Sequence, residues 1–139
     1  MTYGPRSKQD LNDYARRIHE WAEGKGFWKP GVERNLGEML MLMTSELAEC
    51  LEEDRVGKSN FYVTDLHTGE GVACGIYEYL DMEEEFVARY KPEGVATELV
   101  DALIRILDTL GARGIDIDSI LEAKMRHNET RAHMHGKKY

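Results

Sequence analysis

The sequence predicts an all-α fold, a four- to five-helix bundle with a small β-hairpin insertion between the second and third main helices. Three observations predict it. Apolar residues recur at three- and four-residue steps over four long stretches. Glycine and proline stand where those stretches end and begin. The helical pattern fails once, over residues 56–91, where β-prone runs replace it.

The first helix is expected from about Lys8 to Gly24, with Leu11, Tyr14, Ala15, Ile18, Trp21 and Ala22 on one face; Trp21 is placed in the core by its position in that stripe. Gly24 and Gly26 end it, and a loop with Phe27, Trp28, Pro30 and Gly31 follows. The second helix starts at Val32 to Asn35 and reaches Arg55, with Leu36, Met39, Leu40, Met43, Leu47, Cys50 and Leu51 as its buried stripe. Phe61 to Thr64 and Val72 to Tyr77 are the hairpin strands, turned by His67 to Gly71, and a short helix over Asp81 to Tyr90 follows. Pro92 suits the first turn of the third helix, about Glu93 to Ala112. This helix is the most apolar and therefore the central one, closed by Gly111 and Gly114. Ser119 and Glu122 have capping-box spacing at the start of a fourth helix that runs to about Arg131.

The chain of 139 residues, 42% hydrophobic, fits a single domain over residues 1–139, with 56–91 as its insertion and 132–139 as a basic tail. A formal net charge of −8 argues against a nucleic-acid polymer or an anionic membrane as partner. Cys50 and Cys74 read as reduced thiols, the chain carries no signal-like start, and the longest apolar run, Met39 to Met43, is too short for a bilayer. The expected location is the cytoplasm.

Two helices repeat one chemical pattern: Glu46-Leu47-Ala48-Glu49 on the second and Glu98-Leu99-Val100-Asp101 on the third. Residues three apart share a helix face, so each pair presents two carboxylates side by side. At a helix separation of ~8–10 Å all four acids converge. Two like charges ~4 Å apart repel by about 4 kcal/mol at an effective dielectric near 20, so such a cluster needs cations or protons. Magnesium fits, because it prefers hard oxygen ligands and keeps waters that a phosphate displaces. The competing reading is a solvent-facing stripe, since Glu98, Asp101, Arg105 and Asp108 form one polar line on an otherwise apolar helix.

These residues carry a family resemblance. His19 to Ala22, Gly26-Phe27-Trp28, the two acid pairs, and the closing run Lys124, Asn128, Arg131 and His135 to Lys138 occur in an order that resembles the MazG-like nucleotide pyrophosphohydrolases, of the all-α nucleoside triphosphate pyrophosphatase superfamily. The resemblance implies a helical bundle working as a homodimer or homotetramer. It implies that Glu46, Glu49, Glu98 and Asp101 bind Mg2+ (with Mn2+ as a substitute), that water attacks the α-phosphorus of a nucleoside triphosphate, and that monophosphate and pyrophosphate are the products. Lys124, Asn128, Arg131 and Lys137, with Lys138 beside it, match phosphate contacts. The first three step by four and three along one helix face, which a solvated basic face would do equally. Glu49 is the residue chosen as general base, with Glu46 as its catalytic neighbour. Trp28, Phe27 and Asn35 are the candidates for the nucleobase, as stacking rings and an edge-reading amide. The departure from the family is the long stretch 50–97 between the acid pairs, which reads as a lid, an oligomer contact or decoration.

Other chemistries fit less well. A di-iron bundle uses Glu-x-x-His, and neither acid pair ends in histidine. His127, His133 and His135 have no standard metal spacing. Cys50, on an apolar stripe among acids, and Cys74, in the hairpin, lack a nucleophile's setting. The alternative from another class is a catalytically silent nucleotide-binding or protein-interaction bundle.

Overall fold

The computed structural model describes residues 9–138; Lys8, the expected start of the first helix, and Tyr139, the end of the basic tail, lie outside the described residues. Mainly helical, it contains six α-helices and a three-stranded antiparallel sheet in the order β2-β1-β3. The elements are α1 (Leu11–Gly24), α2 (Leu36–Arg55), β1 (Tyr62–Asp65), β2 (Gly71–Val72), α3 (Ile76–Leu80), α4 (Glu84–Arg89), β3 (Tyr90–Glu93), α5 (Val95–Ala112) and α6 (Ile117–Glu129). Among the described residues no helix is long and apolar enough to cross a membrane. Two compact units divide the chain: Trp28–Ile106 forms one, and residues 9–27 with 107–138 form the other.

In the first unit α2 begins at Leu36 because Asn35 caps it, its side-chain oxygen accepting from the Gly37 and Glu38 amides at 2.7 and 3.3 Å. The hairpin forms as expected at β1 and β2, with Val63 opposite Val72, and Gly69 takes a positive φ in its turn. The second run stops short, however. Ile76 and Tyr77 belong to helix α3, and the expected helix over 81–90 is the shorter α4.

The third strand was not expected. Tyr90–Glu93 pairs with β1 across the full length of that strand, which makes β1 the central one. Pro92 is therefore an edge-strand residue and not the first turn of a helix. Leu66 donates to the Arg89 carbonyl at 2.9 Å, so the narrow pairs alternate through Thr64–Lys91 and Tyr62–Glu93. Pro92 opposite Val63 falls on a pair that exchanges no hydrogen bonds, and its missing N–H costs the ladder nothing. Arg89 clamps the end of the sheet, its guanidinium donating to both oxygens of buried Asp65 at 3.0 and 2.8 Å. That guanidinium holds the Asp65 carboxyl at about 2, below the usual carboxylate range.

Gly94 is the joint between β3 and α5. Its φ is +123, and a Cβ there would lie 2.4 Å from the Asn60 carbonyl oxygen. Those neighbouring carbonyls are the N-terminal acceptors of α5. Val95 donates to Ser59 at 3.0 Å, and Ala96 and Thr97 donate to Asn60 at 3.1 and 3.3 Å. The helix that carries Glu98 and Asp101 is thus seated on a loop backbone that only glycine can approach.

The second unit has its own small core of Ala15, Leu107 and Ile117, flanked by Leu11, Ile18 and Leu110. α1 starts in a capping box between Asp10 and Asp13. α6 is capped by Asp116, which accepts from the Ser119 amide, so Ser119 is an interior residue and not the cap expected. The two helix starts are tied reciprocally: Asp118 accepts from the Leu11 and Asn12 amides, and Asn12 accepts from Ile117. Gly111 does not end α5. It lets the helix approach α1, where a Cβ would lie 2.7 Å from the Ala15 carbonyl oxygen; Gly114, at positive φ, makes the turn. Trp21, expected in the core, is 54% exposed and lies against Phe27 with ring centroids 6.0 Å apart. The stripe buries its alanines, Ala15 and Ala22, instead.

Gly94→Ala is expected to destabilise the protein by at least about 2 kcal/mol, through both strain at positive φ and collision with backbone. Urea unfolding of the variant against wild type measures it, and a loss below about 0.5 kcal/mol would show that the joint is looser than described.

Candidate metal centre

All four acids lie in the first unit, on α2 and α5. The helices are locked in register by two contacts. The Cys50 thiol donates to the Val95 carbonyl at 3.4 Å, and Arg105 donates through Nε to Glu46 at 2.5 Å. Glu46, Glu98 and Asp101 then bring one carboxylate oxygen each within 4.8 Å of one another. Glu49 stands at the exposed rim, outside this tightest group, yet its charge acts on both Glu98 and Asp101.

Burial makes the arrangement costly. Glu98 is 5% and Glu46 8% exposed, whereas Leu99, Val100, Leu103 and Ile106 of α5 and Leu40, Leu47 and Leu51 of α2 are exposed. The stripe expected to be buried on α2 is buried only at Met39 and Cys50, and α5 turns Glu98, Asp108 and Thr109 inward. Glu98 and Asp108 are therefore not part of a solvent-facing stripe. Beside these acids, the buried apolar positions of the two helices are Met39 and Cys50 on α2 and Ala102 and Leu107 on α5.

The electrostatics follow from that burial. Removal from water, then the charges of Asp101, Glu49 and Glu46, push the Glu98 carboxyl up to about 7. Asp101 is raised by burial first and by Glu46 next, with Lys91 and Arg105 opposing. The Oε2 oxygen of Glu98 is buried and has no hydrogen-bond partner. An orphaned oxygen on one of three carboxylates that approach within 4.8 Å of one another makes a donor set that fits a hard divalent cation. Glu46, Glu98 and Asp101 could hold one such ion directly, with Glu49 reaching it from the rim.

The remaining expected residues lie outside α2 and α5. Lys124 and Asn128 lie on α6, Arg131 follows it, and Lys137 comes after a 3-10 turn at His133–Gly136; all four belong to the second unit, and the three cations are exposed. Trp28 is half-buried with the Arg34 guanidinium 4.9 Å from its ring centre. Asn35 commits its amide oxygen to the cap of α2. Phe27 belongs to the second unit, beside Trp21. The residues missed by the sequence reading are Arg105, legible only as the residue one turn after Asp101, and Lys91, for which no signal existed without β3. The chain matches no protein-family profile, no curated protein and no solved structure.

Glu98→Gln is expected to raise the melting temperature by about 2–6 °C in a chelator at pH 8, because it removes a charge buried without a partner. The sign follows from the raised carboxyl: folding favours its protonated form, so the wild type loses stability as pH rises from the ordinary carboxyl value through about 7. The gap between variant and wild type therefore closes toward about pH 5. Differential scanning fluorimetry across pH, with and without Mn2+, reads both effects, and Mn2+ should stabilise the wild type more than the variant. A variant less stable than wild type in chelator at pH 8 would mean the orphaned oxygen carries no cost.

Proposed function

We propose that the protein is a MazG-like, magnesium-dependent nucleoside triphosphate pyrophosphohydrolase, cleaving NTP or dNTP to monophosphate and pyrophosphate. The observation that supports it most is the convergence of Glu46, Glu98 and Asp101 within 4.8 Å, with one buried Glu98 oxygen left without a hydrogen-bond partner. Such a group is relieved by a proton or by a cation, and hard oxygen donors favour a divalent ion such as Mg2+.

In this reading a bound Mg2+, or Mn2+ in its place, would supply charge neutralisation for the phosphate oxygens. The chain does the rest. Glu46, Glu98 and Asp101 would hold the ion. Arg105 sets the orientation of Glu46 through its 2.5 Å hydrogen bond. Glu49, exposed beside them, takes the proton of the water that attacks the α-phosphorus, and pyrophosphate leaves on the opposite side. The basic residues of α6 and the tail are not needed for this assignment.

The test is pyrophosphate release from a panel of ribo- and deoxynucleoside triphosphates. Turnover is expected to require Mg2+ and to fall at least about 100-fold in Glu49→Gln and in Glu98→Gln. Tight nucleotide binding without turnover of any member of the panel would favour the silent binding module instead.

The same reading includes a homodimer or homotetramer. It is supported by Leu99, Leu103 and Ile106, which lie three and four residues apart on one exposed side of α5, and by exposed Leu40, Leu47 and Leu51 on α2. Light scattering is expected to return at least twice the 15.9 kDa chain mass, and Leu103→Glu should reduce it. A wild-type mass of one chain at micromolar concentration removes the oligomer from the proposal.

A further inference from the structure

The sheet meets α2 at Glu53, one helical turn from Glu49. Thr64 pairs with Lys91 and Tyr62 with Glu93, so these four side chains share one face of the β1–β3 ladder. That face is tied to α2, because the Tyr62 hydroxyl lies 2.9 and 3.0 Å from the two Glu53 carboxylate oxygens. Glu93 accepts from the Thr64 hydroxyl and pairs with the Lys91 ammonium at 3.3 Å.

Lys91 is thereby a tethered cation. Strand register puts it on the same ladder face as Tyr62, which touches α2 at Glu53, one turn from Glu49, and its charge favours the ionised forms of Glu98 and Asp101. Yet its ion-pair partner is Glu93, outside the quartet, and its side chain is 57% exposed. A residue present only to neutralise the acids would form its ion pair with one of them. An ammonium with three donors, held by one carboxylate and open to solvent, keeps donors for another anion.

We propose that Lys91 is a polyphosphate-binding residue of the acid site, carried to it by the sheet inserted between the two acid pairs. The proposal rests on the reading of those acids as a divalent-ion site. Its ligand is a polyphosphate, free or attached to a nucleoside: some non-bridging oxygens accept from the Lys91 ammonium while others meet the ion on the acids. The insertion is then a working part of the site and not decoration.

Mn2+ alone and inorganic tripolyphosphate are the probes, used on wild type, Lys91→Met and Lys91→Arg. Electron paramagnetic resonance measures Mn2+ affinity, and calorimetry measures tripolyphosphate binding to the Mn2+-loaded protein. Lys91→Met is expected to tighten Mn2+ binding by about 2- to 5-fold, because a like charge has left, and to weaken tripolyphosphate binding about tenfold. Lys91→Arg should keep both near wild type. Opposite signs cannot come from damaged folding, which would weaken both. If wild type binds Mn2+ and Lys91→Met leaves tripolyphosphate affinity unchanged, Lys91 is a counter-ion only and the proposal is overturned. If wild type binds no Mn2+, the reading of the acids as a metal site fails first.

Discussion

Mutual repulsion among carboxylates held out of water is the constraint on which the first unit is organised. A lone pair of acids on a helix surface costs little, because solvent screens it. Here Glu46 and Glu98 are withdrawn from solvent with Asp101 beside them, and one Glu98 oxygen meets no donor. Folding supplies partial relief from cations on two different elements: Arg105 on α5 binds Glu46, and Lys91 on β3 acts on Glu98 and Asp101. Neither reaches the orphaned oxygen. The remaining imbalance is what a proton or a cation would relieve.

The inward sides of the helices are mixed, with Met39, Glu46 and Cys50 buried on α2 and Glu98, Ala102, Leu107, Asp108 and Thr109 on α5. Apolar periodicity identified α2 and α5 and gave their lengths to within a few residues, because a 3.6-residue repeat survives whichever side faces the interior. Periodicity does not say which side that is. The usual assumption put Leu40, Leu47, Leu51, Leu99 and Leu103 in the core, and all five are exposed. The acid-x-x-acid spacing gave the opposite hint, because side-by-side carboxylates on two apolar helices make sense when they face each other. The site was therefore more legible than the core around it.

Local chemistry was misread where one residue type serves two purposes. Proline suits a helix's first turn and also the edge of a sheet, and Pro92 does the second because β3 exists only through its pairing with β1. Glycine ends helices and also permits close approach, and Gly111 does the second against the Ala15 carbonyl. Serine three residues before glutamate looks like a cap, but Asp116, earlier in the chain, binds the Ser119 amide first. In each case the deciding partner is distant in sequence or stronger than the motif. Lys91 is the extreme example, a lone lysine whose meaning depends wholly on strand register.

The sheet's relation to the acid helices is covalent as well as spatial. β3 ends at Glu93 and α5 begins at Val95, so a single glycine joins the strand that carries Lys91 to the helix that carries Glu98. The first amides of that helix are satisfied by Ser59 and Asn60, which lead into β1. Deleting the insertion would therefore remove the acceptors that seat the helix, and a short loop would have to replace them with a cap of its own. A decorative insertion leaves its host elements capped independently and can be trimmed at its base. This one supplies the seat of α5, the hydroxyl that holds Glu53, and a cation beside the quartet, and its own two ends are held together by the pairing of β1 with β3. The link between the acid helices and the sheet therefore runs through the Gly94 junction, the Ser59 and Asn60 carbonyls and the Tyr62–Glu53 hydrogen bond.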